Sequence, residues 1–215
     1  NHGGAVYVTY VKSDTEGEEN TNGALNAANA TFDNNNALAG GAVSIRTGCS
    51  GVFDNTTFTN NSVSGSDDKL DGDSEGGGAI YVGYGSALLT NCTLTNNTSD
   101  TFGGAIDAVS ATVTVDGCNL SDNSAMSGGA IKAITKSNVT INNVILNNNE
   151  STYENIDYNS SLGGGAVDMN GGQLTVSKTT IDGNTSDYYG GALLVSNAVV
   201  NINDNTVVKN SSGKT

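Results

Sequence analysis

The triplet Gly-Gly-Ala followed by an aliphatic residue occurs seven times in this chain, at Gly3–Val6, Gly40–Val43, Gly77–Ile80, Gly103–Ile106, Gly128–Ile131, Gly164–Val167 and Gly190–Leu193. The intervals from Gly77 to Gly103, Gly103 to Gly128 and Gly164 to Gly190 are nearly equal, and the other three are longer by a common amount. The base period is therefore about 26 residues, within the range of solenoid repeats. A unit that short is one supersecondary element. It cannot bury its own apolar face and must stack on its neighbours.

A second motif follows each triplet: an apolar residue, two variable residues, then Asn. The pairs are Phe32/Asn35, Phe58/Asn61, Leu94/Asn97, Leu120/Asn123, Ile145/Asn148, Ile181/Asn184 and Val207/Asn210. Between the two motifs runs a short alternation, as in Val113-Thr-Val115, Val139-Thr-Ile141, Leu174-Thr-Val176 and Val200-Asn-Ile202. Each repeat therefore holds three brief period-two segments separated by Gly, Asn, Asp and Ser, and no window offers an amphipathic helix. Three strands per turn is the layout of an all-β parallel β-helix, with about seven coils in a single domain over residues 1–215. Strands of successive coils lie ~4.8 Å apart, which makes a rod roughly 34 Å long. The longer intervals hold insertions near 12–24, 64–76 and 150–162.

The alternation assigns faces. Val6, Val43, Ile80, Ile106, Ile131, Val167 and Leu193 form one inward column, and Val8, Ile45, Val82, Ala108, Ala133, Met169 and Val195 a second. The residue between them is chemically mixed (Tyr7, Ser44, Tyr81, Asp107, Lys132, Asp168, Leu194) and is expected on the solvent face. Gly-Gly permits a positive φ and a sharp corner before the strand. Asn35, Asn61, Asn97, Asn123, Asn148, Asn184 and Asn210 recur once per coil. Asn tolerates the left-handed region and can stack as an amide ladder, so a structural role is expected there rather than ligand binding.

Hydrophobic content is 36 %, and Trp and Pro are absent. That suits a thin core with much polar surface and strands that all donate to ladders. A net charge of −14 with eight Lys plus Arg argues against nucleic acid and anionic membranes as partners and suits an extracellular protein. No apolar stretch approaches membrane-spanning length. The chain begins with neither a secretory leader nor an initiator Met, which reads as a processed or excised segment.

Cys92 and Cys118 occupy the same place in their repeats, counted from Gly77 and Gly103. They should stack in adjacent coils, either as a disulfide or as two small buried residues in an inward column. Cys49 sits elsewhere in its coil. There are twelve Asn-x-Ser/Thr sequons, among them Asn29, Asn55, Asn60, Asn91, Asn96, Asn119, Asn138, Asn159 and Asn184. They mark either glycosylation or a by-product of Asn-rich turns.

Gly-Gly-Ala-aliphatic paired with Phe-x-x-Asn resembles the repeat signature of the chlamydial polymorphic membrane proteins, through all seven coils. Phe32 and Phe58 keep the Phe, and the other copies carry Leu, Ile or Val. The resemblance implies a right-handed parallel β-helix, surface exposure, and a role in adhesion or as a stalk. The membrane-anchoring β-barrel of that family is not in this chain.

Pectate lyases and polygalacturonases share the fold, so catalysis must be weighed, although fold is only analogy. The nearest approach to a catalytic set is Asp107, Lys132 and Asp168 in one outward column, whose carboxylates would be about 9.6 Å apart at two strand spacings. That is near the upper limit for an inverting pair, roughly 6.5–9.5 Å. Arg46 and His2 are expected far from that column. Of the insertions, the second carries Asp67, Asp68, Asp71, Asp73 and Glu75 around Gly72. This oxygen-rich set is either a Ca²⁺ loop without EF-hand spacing or a solvated acidic loop. No other cofactor is expected. Tyr7 and Tyr81, with Tyr10 and Tyr84 following them, offer an aromatic flank to a sugar or protein. No cap is evident at either end. The reading is a non-catalytic extracellular structural or adhesin-like rod that self-associates end to end through its coil edges. A module binding a host or cell-surface protein or glycan is the first alternative, and a polysaccharide lyase or hydrolase the second.

Overall fold

The computed structural model describes residues 2–12, 21–64, 75–152, 162–209 and 211–213. They form three parallel sheets wound as one solenoid, and among them there is no helix. The strands led by Gly-Gly-Ala, such as Val43–Ile45, Ile80–Gly83 and Ile106–Val109, stack residue on residue in the order Val43, Ile80, Ile106, Ile131, Val167, Leu193. The five-residue strands, such as Ser86–Thr90 and Thr112–Asp116, continue the same sheet beyond a shallow corner. In the last two coils the two segments merge into single long strands, Val167–Ser177 and Leu193–Asn203. The apolar-x-x-Asn segments, such as Thr57–Thr59 and Thr93–Thr95, build a second sheet. The pieces that follow them, such as Ser62–Val63 and Ser124–Ser127, build a third.

The alternating residues point inward. Phe53, Phe58, Leu89, Leu94, Leu120, Ile141 and Leu146 are fully buried between the sheets. Phe32 stacks on Phe58 at 4.9 Å and 6°, and Phe53 meets Phe58 edge-on at 5.3 Å. Each aliphatic rung stabilises the stack by about 1.5–3 kcal/mol.

The two glycines of each triplet have different reasons to be glycine. The first holds a positive φ, 60° at Gly40 and Gly103 and 76° at Gly77. The second does not. A Cβ on Gly78 or Gly104 would lie 2.1 Å from the carbonyl oxygen of the matching glycine one coil on. The corner is so tight that neighbouring coils touch backbone to backbone.

The asparagine ladder is present, with two corrections. The main-chain N–H and Nδ2 of Asn97 both donate to Asn123 Oδ1, at 3.0 Å each. The same pair of bonds links Asn35 to Asn61, Asn61 to Asn97, Asn123 to Asn149, and Asn149 to Asn184. The fifth rung is therefore Asn149, not Asn148. An extra residue at the first corner of that coil, where Thr135 and Lys136 both have positive φ, moves everything downstream by one. Leu146 is buried and Ile145 exposed for the same reason. In the last coil Asp204 and Asn205 form a similar left-handed pair, and the register sets Ser211 beside Asn184. Asn210 lies outside the described residues. Nor are the ladder residues themselves left-handed. That conformation falls on the residue before each, φ 59°, 55°, 56° and 52° at Asn34, Asn60, Asn96 and Asn148.

Candidate functional site

Between its two end coils the mixed outward column is not a solvent face. Ser44, Tyr81, Asp107, Lys132 and Asp168 are all buried, none more than 3 % exposed. At three of the triplets the residue just before Gly-Gly folds over the middle residue of the next coil. Gly76 N–H donates to Asp107 Oδ2 at 2.9 Å. Phe102 puts its ring 5.4 Å from Lys132 Nζ. Ser127 Oγ donates to Asp168 Oδ2. Phe102 and Leu162, with Met126 against them, make a small apolar cluster of their own. Alternation alone could not reveal this lid, because its residues belong to the preceding repeat.

Lys132 Nζ pairs with Asp168 Oδ2 and lies 3.3 Å from Ser127 Oγ. Asp107 Oδ1, Asp168 Oδ1 and Ser44 Oγ have no partner among the described residues. Burial pushes the Asp107 carboxyl up to about 7, against the Gly76 N–H and the Lys132 charge, which both lower it. Burial likewise raises Asp168 despite Lys132 and Ser127. Burial, then the charge of Asp107, raises Tyr81.

Arg46 and His2 are not remote from this column. The Arg46 guanidinium lies 5.0 Å from the Tyr81 ring centre and 5.9 Å from that of Tyr7. Glu75 accepts from Arg46 at 2.6 Å and lies 2.9 Å from His2 Nδ1. Glu75 is thus ion-paired to Arg46 and in contact with His2, and the acidic residues grouped with it for Ca²⁺, Asp67, Asp68, Asp71 and Asp73, lie outside the described residues. Tyr81 is buried beneath Arg46, whereas Tyr7, Tyr10 and Tyr84 are exposed.

Cys92 and Cys118 stack in adjacent coils and are free thiols, not a disulfide. They occupy a buried corner column with Thr56, Val144 and Thr179. Cys92 N–H donates to Cys118 Sγ at 3.2 Å, and each thiol faces main-chain carbonyls, Thr90 for Cys92 and Asp116 for Cys118. The hydrogen bond between the thiols holds Cys92 down at about 7 and pushes Cys118 up. A groove of about 380 Å³ runs over this corner, lined in part by Asn91, Gly117, Asn143 and Lys178. Cys49 is also buried and free.

Of the sequons, Asn29, Asn55, Asn60, Asn91, Asn96 and Asn138 are exposed, and Asn119 is half-buried. Asn184 cannot carry a glycan in the folded chain. It is fully buried, its Nδ2 donates to Leu146 O, and its Oδ1 takes both ladder bonds from Asn149. Asn159 lies outside the described residues.

The family model for the right-handed beta helix region matches residues 18–214. The chain belongs to that family. No curated protein and no solved structure matches it significantly. The seven-coil solenoid is thus a right-handed parallel β-helix in sequence profile and in topology.

Proposed function

We infer that this β-helix is a structural, non-catalytic rod of a cell surface or extracellular appendage, lengthened by end-to-end stacking of coils from successive copies. The observation that carries this reading is the last coil. Val195, Ile202 and Val208 are 41, 48 and 46 % exposed, yet they pair with Met169, Val176 and Ile181, which are fully buried. They stand at core positions with no coil beyond them among the described residues. Strands Leu193–Asn203 and Val207–Lys209 are sheet edges there, which can pair with a further strand. At the opposite end Ala27 and Phe32, which begin the columns that close on Ile202 and Val208, are half-buried. A head-to-tail contact of this kind builds a filament because it does not close.

The resemblance of the repeat to chlamydial polymorphic membrane proteins supports the surface setting. So do the charge of −14 and the exposed sequons. The exposed tyrosines Tyr7, Tyr10 and Tyr84 are where a host protein or glycan would be met. The burial of Asp107, Lys132 and Asp168 favours a non-catalytic reading of that column, since a sugar chain has no route to it. Electron microscopy and sedimentation across a concentration series test the proposal. The expectation is rods that join end to end, and single rods when Ile202→Glu and Val208→Lys put charge on the open coil. Wild-type protein that stays monomeric at the highest concentration, with its ends unjoined, sinks it.

A further inference from the structure

Asp107, Lys132 and Asp168 are the buried charged side chains among the described residues. They are direct cross-strand partners on three consecutive coils. Lys132 Nζ touches Asp168 Oδ2, the Phe102 ring lies over the amine, and Ser127 Oγ contacts both reacting groups. We propose that Lys132 Nζ and Asp168 Cγ condense within the folded chain to an isopeptide bond that clasps the fifth coil to the sixth.

As an ion pair this site is poorly solvated. Two charges out of water carry a large desolvation cost, repaid only when the remaining lone pairs and protons are satisfied. Asp168 Oδ1 has no donor among the described residues. Desolvation favours the neutral form of a buried carboxyl, and burial does raise that of Asp168. Asp107, on the other side of Lys132, is raised too. Below about pH 7 the protonated Asp107 places no second negative charge beside the amine to hold its proton.

The step balances without any added reagent. Lys132 passes one proton to Asp168 Oδ2, directly or through Ser127 Oγ, which leaves an amine and a carboxylic acid. The Nζ lone pair attacks Cγ and the N–C bond forms. A second proton moves from Nζ to Oδ2 by way of Ser127, the Cγ–Oδ2 bond breaks, and that oxygen leaves as water. Oδ1 remains as the amide carbonyl. Fixed reactants of this kind reach effective molarities of about 10⁵–10⁸ M, which is how an otherwise slow condensation can proceed in a packed interior. Both charges vanish, and so does one carboxylate oxygen.

The clasp requires the buried column alone, whether or not rods join. The test is the mass of the denatured 215-residue chain, made without glycosylation, followed by peptide mapping. The expected mass is one water below that of the linear chain, and the map should show a branched peptide linking Lys132 to Asp168. Lys132→Arg keeps the charge and should restore the full mass. Full mass in the wild type overturns the proposal, as does a water loss that maps to a linear peptide or persists in Lys132→Arg. Because the wild type is read directly, misfolding of a variant cannot mask the answer.

Discussion

An asparagine in this rod has one of two tasks, and adjacent residues divide them. Asn148 is exposed with φ 52°, so Asn148→Gly should shift stability by no more than about 0.5 kcal/mol. Asn149 is buried and accepts both ladder bonds of Asn123 while donating to Leu120 O. Asn149→Ala should cost roughly 3–5 kcal/mol, because it orphans buried groups on two coils. Denaturant midpoints of the two variants measure the contrast, and equal effects would refute the register. Asp107 governs a pH effect of unusual sign. Its folded pKa, about 7, lies above the unfolded value near 3.8, so the native state holds the proton more tightly between those limits. Stability from this group is therefore full below about pH 4 and falls as pH rises through 7. Thermal melts from pH 4 to 8 should show that decline, and Asp107→Asn should flatten it.

Strand stacking depends on contacts that no single repeat contains. Gly104 has ordinary φ, yet its Cβ position is blocked by Gly129 O at 2.1 Å. Gly104→Ala should destabilise by about 1–3 kcal/mol through forced separation of the coils, whereas alanine at an exposed strand position such as Thr112 should do little. The inward stack is equally sensitive. Leu120 is fully buried between Leu94 and Leu146, so Leu120→Ala should cost about 2–5 kcal/mol. Urea unfolding followed by circular dichroism reads both. A loss no larger at Gly104 than at Thr112 would contradict the backbone contact between coils.

For the whole molecule, nearest-neighbour stacking predicts that length is adjustable in whole coils. Removing residues 103–127 takes out one turn and joins Phe102 to Gly128, so Asn97 meets Asn149 as its next ladder partner. That chain should fold with a β signature, while deletion of half a turn should not, because the inward residues then face outward. Circular dichroism and protease resistance separate the two outcomes. The repeat period, the inward aliphatic columns and the stacking of Cys92 on Cys118 were legible in the sequence, because each coil repeats the same local demands on backbone and side chain. The fifth ladder position was not, because the run Asn147-Asn148-Asn149 conceals which residue turns the corner. An inserted residue is absorbed one corner earlier, by a second left-handed position. The burial of Asp107, Lys132 and Asp168 was decided by tertiary structure alone. Alternation says which way a side chain points from its own sheet, but the lid over those three comes from the chain end of the preceding turn, and only the winding brings it there.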